Sequence, residues 1–449
     1  MIPRVLSIAG SDPDGGAGIQ ADLKTFSALG VYGMTVITSV TAQNTIELKK
    51  IHDVPIDMIK AQIDALLSDI GIDAVKTGML HTKEIVEVVA DKIGKQNLPL
   101  VIDPVMATKS GAPLLELDAK SALIKFLFPL ATIVTPNSIE AETISGIEIR
   151  TMDDAKEAAR KIAELGPKAV VIKGGHAFSE KKALDLLYSD GDFKIFEENR
   201  IDTTTTHGTG CCFASAIAAE LAKGNSIVDA VKHAKDFVTK AIRFGFNIGH
   251  GFGPVNPTAH LYNEAEKYRV IENIKEAVEI LESYQEFSEL IPESQTNIAM
   301  ALPLANSIID VVAIPGRIVR IGKSIKASSC PEFGASSHVA RTILTVMKHD
   351  SSIRAGMNIK YSEKLIKACK EQGLIVSFYD RREEPPETKE IEGMSMVWGA
   401  EQAVKKIGKV PDIIYHKGDW GKEPMITIIG KNAVEVVKMA VKIAKLRLD

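Results

Sequence analysis

Val5-Leu6-Ser7-Ile8-Ala9-Gly10-Ser11-Asp12-Pro13-Asp14-Gly15-Gly16-Ala17-Gly18 is an apolar run that opens into a polar, glycine-rich turn. Ile19, Leu23 and Phe26 follow at helical spacing, and the pattern stops near Gly30. The stretch therefore reads as strand, turn, helix. The same order recurs down the chain. Val36-Ile37 leads to Thr41-Ala42-Gln43-Asn44-Thr45, and Ala74-Val75 to Lys76-Thr77-Gly78-Met79-Leu80. Leu100-Val101-Ile102 leads to Asp103-Pro104, Thr132-Ile133-Val134 to Thr135-Pro136-Asn137, and Val170-Val171-Ile172 to Lys173-Gly174-Gly175-His176. Amphipathic segments at Met58–Leu67, Glu84–Ile93 and Asp153–Leu165 lie between them. Alternating β and α elements predict an α/β fold, a mainly parallel sheet with helices on both faces. Its polar and glycine residues cluster just past the strands' carboxyl ends, where such sheets bind ligands.

His207-Gly208-Thr209-Gly210-Cys211-Cys212 runs directly into the alanine-rich Phe213–Leu221. The first amides of a helix lack internal partners, and the aligned peptide dipoles make that end positive. Glycines let a phosphate approach those amides, and the same field favours a thiolate at Cys211. Two other patterns mislead. Gly16-Ala17-Gly18-Ile19-Gln20-Ala21 fits a dinucleotide fingerprint, but Thr38, Ser39 and Thr41 stand where that fingerprint needs an acid. Gly316 and Gly322-Lys323-Ser324 imitate a phosphate loop with one residue too many between the glycines.

In order, Ala9-Gly10-Ser11-Asp12-Pro13, Gly15–Asp22, Ala42-Gln43-Asn44-Thr45, Lys173-Gly174-Gly175-His176 and His207–Cys211 resemble the ribokinase-like kinases. Within them they resemble ThiD, the hydroxymethylpyrimidine and phosphomethylpyrimidine kinases of thiamine synthesis. The resemblance covers about residues 1–260. It implies that Gln43 and Met79 line a pyrimidine pocket with Asp22 nearby. It also implies that Asp103, Asn137 and Glu140 serve magnesium, and that Gly208, Thr209 and Gly210 form the anion hole for the phosphates of ATP. Phosphoryl transfer needs a cation there too, and Lys173 is placed to be it. Cys211 stands where many ribokinase-like enzymes carry Asp, so its thiolate would be the base.

A glycine- and proline-rich segment, Gly249–Pro257, closes this region, and Ile271, Ile274, Val278 and Leu281 then recur at near-helical spacing. The expected domains are 1–265 and 266–449, the second again a smaller α/β unit. Between Asp310 and Glu332 no acidic residue occurs, while Arg317, Arg320, Lys323 and Lys326 recur at every third position. Ser336 or Ser337 is placed to cap a helix carrying Val339, Ile343 and Val346, with His338 in its first turn. Cations beside a helix start describe a phosphate or diphosphate site. Pro315–Ile318, Glu332–Ala340, Met357–Tyr361 and Gly421–Met425 resemble the ThiN family of thiamine phosphate synthases, which occur fused behind a ThiD kinase. That resemblance implies joining pyrimidine diphosphate to thiazole phosphate with release of diphosphate. Arg317 and Ser336 would bind substrate, and Arg320 and His338, with magnesium, would stabilise the departing charge.

The remaining features bound these readings. With 54 basic and 58 acidic residues among 449, no global field favours nucleic acid or an anionic membrane. Four cysteines lack metal-ligand spacing and give no disulfide framework. Neither a signal-peptide pattern nor a membrane-length apolar run is present. A cytoplasmic homo-oligomer, such as a dimer, is expected, with only small molecules as partners. The competing readings are a pyridoxal-type vitamin kinase and a non-catalytic, ligand-sensing C-terminal domain. Ala42-Gln43-Asn44-Thr45 and Cys211 disfavour the first, and no basic recognition helix stands out to support the second.

Overall fold

The computed structural model describes residues 2–108, 111–174, 179 and 181–446. The chain forms two compact units, Met1–His260 and Leu261–Asp449. Among the described residues, no helix is long and apolar enough to cross a membrane.

The first unit is built on a nine-stranded sheet. Its strands are β1 (Arg4–Ser11), β2 (Tyr32–Gln43), β3 (Leu48–Asp53), β4 (Ala74–Thr77), β5 (Leu100–Ile102), β6 (Ile133–Val134), β7 (Ala169–Lys173), β8 (Lys182–Ser189) and β9 (Asp192–Asn199). The order is β3-β2-β1-β4-β5-β6-β7-β8-β9. From β2 across to β7 every pairing is parallel, whereas β3, β8 and β9 pair antiparallel at the edges. The helices Ile56–Asp69 and Lys83–Gly94 contain the first two amphipathic segments expected from the sequence, and Met152–Ala163 holds the third except its last two residues, Glu164 and Leu165, which follow the helix. Strand alternation sends Leu6 and Ile8 into the core on one face and Val5 into the core on the other, under Gly18–Ala28 and Thr209–Ala222. Because the central strands are parallel, their carboxyl ends gather along one edge, and the described residues of the polar turns named above lie there.

In the second unit, helix Ala259–Glu282 buries Val270, Ile274, Ala277 and Leu281. Seven strands form its main sheet: β10 (Ile298–Ala301), β11 (Val311–Ala313), β14 (Glu332–Phe333), β15 (Ala355–Lys360), β16 (Val376–Phe378), β17 (Ile413–His416) and β18 (Met425–Gly430). Their order is β14-β11-β10-β15-β18-β17-β16. Only β16 and β17 run parallel, so this α/β unit, unlike the first, has a mainly antiparallel sheet. Helices His338–Val346 and Met394–Ile407 cover one face, and Ala259–Glu282 and Ala433–Ala444 the other. A separate hairpin pairs β12 (Ile318–Ile321) with β13 (Ser324–Ala327).

Candidate active sites

The carboxyl edge of the first sheet surrounds a cavity of about 380 Å³. Gln43 and Met79 line it, together with Asp103, Asn137, Glu140, Lys173, Gly208, Thr209, Gly210 and Cys211. The glycine turn and the first turn of Thr209–Ala222 are locked to the first strand's loop. Gly208 has φ 78, and a Cβ there would lie 1.7 Å from the Gly16 carbonyl, so only glycine allows this approach. His207 joins the same two loops through its side chain. Its Nε2 lies 3.0 Å from Asp12 Oδ2, 3.5 Å from Asp14 Oδ1 and 3.3 Å from Gln43 Nε2. Burial works against charge on His207, but the two carboxylates outweigh it and raise its pKa to about 9. Asp12, Asp14 and His207 are close enough to hold a metal among the described residues. Protonated, the imidazole is an ion-pair partner of the two carboxylates, and it would have to lose that proton to ligate a metal.

Adjacent helical residues point about 100° apart, and the two thiols divide accordingly. Cys211 faces the cavity, while Cys212 is buried in the core. The expected low-pKa thiolate is not what the free protein holds. Burial pushes the Cys211 thiol up to about 11; Asp22 and Asp103 add to the rise, and Lys76 and the Gly18 amide oppose it. The helix field is outweighed by desolvation beside two carboxylates.

Asp22 is fully buried and is not part of the cavity wall. It accepts hydrogen bonds from Ser7 Oγ at 2.5 Å and Ser215 Oγ at 2.7 Å, and pairs with Lys76 Nζ at 2.9 Å. Sequence reasoning gave Lys76 no role, because a lysine at a strand end usually reaches water. Here it is fully buried, lines the cavity, and carries a pKa raised by Asp22, Cys211 and Asp103 against the cost of burial. Asp22 thus reaches the site through Lys76.

Asn137 and Glu140 form a capping box at the start of helix Ser138–Ser145. Asn137 Oδ1 accepts from the Glu140 amide at 2.9 Å, and Glu140 Oε2 accepts from the Asn137 amide at 2.7 Å. The Asn-x-x-Glu spacing therefore has a structural use as well as a candidate metal use. Burial, with Asp103 adding and Lys173 opposing, raises Glu140 to about 7. Asp103 Oδ1 lies 2.8 Å from Lys173 Nζ. Two carboxylates converging beside a lysine suit an oxygen-preferring cation that keeps several waters. Gly175 and His176 of the Lys173 motif lie outside the described residues.

The second unit has its own cavity, of about 1110 Å³. Arg317, Ser336 and His338 line it, and Arg381 and Lys422 join them from distant segments. Helix His338–Val346 starts at its wall with Ser337 as N-cap, but the Ser337 hydroxyl lies 3.1 Å from His338 Nδ1 and does not cap the helix. Burial lowers the His338 pKa, and Arg317, Lys422, Arg381 and Arg341 lower it further. The imidazole is neutral at pH 7 inside a ring of cations. Arg317 also holds a left-handed backbone, φ 71, which non-glycine residues rarely adopt outside constrained sites.

Arg320 does not belong to this group. The every-third-residue spacing falls on a β-hairpin, where side chains alternate with period two, so residues three apart face opposite sides. Arg320 Nε donates to the Gly322 carbonyl at 2.9 Å, its guanidinium reaches Glu289 at 3.5 Å, and Lys326 pairs with Glu282 at 2.8 Å. Arg320→Ala is therefore expected to leave diphosphate release within about threefold of wild type. His338→Ala should lower it by ~10²-fold, the usual cost of losing a charge-stabilising donor. Supplying pyrimidine diphosphate directly and timing diphosphate release separates the two; a large loss in Arg320→Ala would return the hairpin to the site.

Residues 12–256 match the phosphomethylpyrimidine kinase family, and residues 273–442 match thiamine-phosphate synthase ThiN. Over 446 residues, 98% of each chain, the sequence is 37% identical to the bifunctional thiamine biosynthesis protein ThiDN of Methanocaldococcus jannaschii. The chain belongs to this fused ThiD–ThiN family. Its kinase unit is 48% identical over 263 residues to a Haemophilus influenzae hydroxymethylpyrimidine/phosphomethylpyrimidine kinase, covering 58% of this chain and 98% of that one. The solved ADP complex of Bacillus subtilis pyridoxal kinase is similar in fold, with TM-score 0.54 and 43% identity over 58% of this chain and 98% of that chain. The ThiD–ThiN chain is thus an ATP-using kinase joined to a thiamine-phosphate synthase.

Proposed function

We propose that the first cavity phosphorylates hydroxymethylpyrimidine and then its monophosphate, and that the second joins the resulting diphosphate to thiazole phosphate. The observation that carries the kinase half is the convergence of Cys211, the Gly208–Gly210 turn, Lys76 and Lys173 on one small cavity. In the first step the substrate alcohol attacks the γ-phosphorus of ATP, the bond to ADP breaks, and the alcohol proton passes to the thiolate form of Cys211, giving its thiol. The first-turn amides and Lys173 face the moving phosphoryl group and stabilise its charge. Asp103 and Glu140 would hold magnesium, with Asn137 fixing Glu140; bound there, the ion would neutralise phosphate charge. The second phosphoryl acceptor is already an anion near neutral pH, so a base has less to do.

In the second unit, the bond between the pyrimidine's methylene carbon and the diphosphate breaks, its electron pair leaves with the diphosphate, and the thiazole nitrogen bonds the carbon. Arg317, Arg381, Lys422 and the amides at Ser336–His338 surround the place for that charge. Incubating the full chain with hydroxymethylpyrimidine, ATP, magnesium and thiazole phosphate should yield thiamine phosphate by mass. Accumulated pyrimidine diphosphate without thiamine phosphate would leave only the kinase half standing.

The two activities belong to separable units. Asn263 Nδ2 donates to the Leu304 carbonyl at 3.2 Å, and Asn263 Oδ1 accepts from the Leu304 amide at 3.0 Å. The synthase half therefore needs residues before 266, and a start at Val270 would cut its first helix. A fragment of residues 1–260 is expected to retain both kinase steps, and one of 259–449 to retain synthase turnover on added pyrimidine diphosphate. Failure of either fragment without the other would defeat the separation. A cytoplasmic site is part of the same proposal, supported by four cysteines that all remain unpaired. Self-association is a further part, decided by sedimentation of the full chain.

A further inference from the structure

Three strands supply the floor of the second cavity. Asn358 pairs with Thr427 and Ile414 pairs with Thr427 across β18, while Lys360 and His416 both pair with Met425. Cross-strand partners share a face of a sheet, and all six of these residues line the cavity. His416 is only 7% exposed. The Gly418 amide donates to its Nδ1 at 3.1 Å. A neutral imidazole whose Nδ1 accepts must carry its proton on Nε2. Among the described residues that Nε2–H has no hydrogen-bond partner. The ring is largely buried, but Nε2 is not closed off, so its N–H can exchange water for a ligand oxygen in the cavity that His416 lines. Arg381 is the charge that both His416 and His338 feel, so this donor lies within reach of the same cation as the helix-start histidine.

We propose that His416 is a substrate-binding residue of the second cavity, whose fixed Nε2–H donates a hydrogen bond to a phosphoryl oxygen. The proposal rests on reading this cavity as the synthase site. Burial first, and then Arg381, push the His416 pKa down to about 4, so the ring stays neutral at working pH and keeps this tautomer. Arg317, Arg381 and Lys422 supply charge, and His416 supplies direction: a single N–H aimed from the sheet floor at an oxygen that the cations alone would hold loosely. The phosphoryl oxygen belongs either to the diphosphate or to the thiazole's monophosphate.

The test uses the full chain and chemically supplied substrates. His416→Phe keeps a ring and removes the donor; His416→Gln keeps a neutral N–H. His416→Phe should raise the KM of one phosphorylated substrate by about 10-fold or more, the usual weight of a hydrogen bond to a charged group. His416→Gln should restore it to within about threefold. The substrate whose KM moves, pyrimidine diphosphate or thiazole phosphate, identifies the oxygen's source. With ¹⁵N-histidine protein, a ring signal absent from His416→Gln should show the Nε2–H tautomer and shift on adding inorganic diphosphate or thiazole phosphate. That measurement needs only the wild-type fold if His416→Phe does not fold. Unchanged KM for both substrates in His416→Phe, equal impairment of His416→Gln, or a ring signal that neither ligand moves overturns the proposal. If the wild-type chain itself makes no thiamine phosphate, the reading of the cavity falls and the proposal with it. Wild-type turnover with an indifferent residue 416 removes the proposal alone.

Discussion

Lys76→Met should destabilise the kinase unit by about 3–5 kcal/mol, the usual result of removing one member of a buried ion pair. Lys76 and Asp22 are both fully buried and 2.9 Å apart, so the variant leaves a carboxylate with two serine donors and no cation. Both phosphorylation steps should fall with it, since Lys76 is also a cavity-lining cation beside Cys211. Hydrogen exchange of the full chain, read on peptides from β1 and β4, measures the local loss. The double variant Asp22→Asn/Lys76→Met is the decisive companion. It removes both charges; the amide oxygen still accepts from one serine and the amide nitrogen donates to the hydroxyl of the other, so stability should largely return while activity does not. If activity returned with stability, Lys76 would be only a packing element.

Cys211→Ala is expected to slow phosphorylation of the alcohol by ~10²–10⁴-fold, the range that a positioned base contributes. The loss should be smaller in the second phosphorylation, whose acceptor is already ionised. Cys212→Ala should be nearly normal in both, because that thiol is in the core and not at the cavity. The pH dependence has a definite sign. A base acts when deprotonated, and Cys211 titrates near 11 in the free protein. Below that value each pH unit raises the thiolate fraction about tenfold, so the wild-type first step should climb through the alkaline range and the Cys211→Ala step should not. Equal losses in the two cysteine variants, or a flat wild-type profile, would take Cys211 out of the base role.

Local patterns carried most of the kinase half. β-Strands followed by glycine and polar turns are a near-neighbour signal, and a parallel sheet then has no choice but to gather those turns at one edge. The resemblance to ThiD, not the pattern, singled out Gln43, Met79, Asp103, Asn137, Glu140 and the base role of Cys211; with Lys173 they are found around one cavity because the turns that carry them share that edge. The helix carrying Val339, Ile343 and Val346, with His338 in its first turn, was legible from its local pattern. Arg320 was not, because charge spacing does not reveal whether a segment has period two or 3.6, and the hairpin decided it. Lys76 was passed over because its burial comes from Asp22, 54 residues away, and from the helix starting at Thr209. The Cys211 pKa was misjudged because a helix end is visible in sequence and desolvation beside Asp22 and Asp103 is not. Arg381 and His416 come from segments that carried no reading, and Lys422 from one quoted for the ThiN resemblance without a role of its own; the fold brings all three to the wall that His338 shares. The sequence by itself determined the order of elements and the chemistry of each turn. The tertiary structure decided which charges are buried, and burial sets their energies because it replaces water with whichever partners the fold supplies.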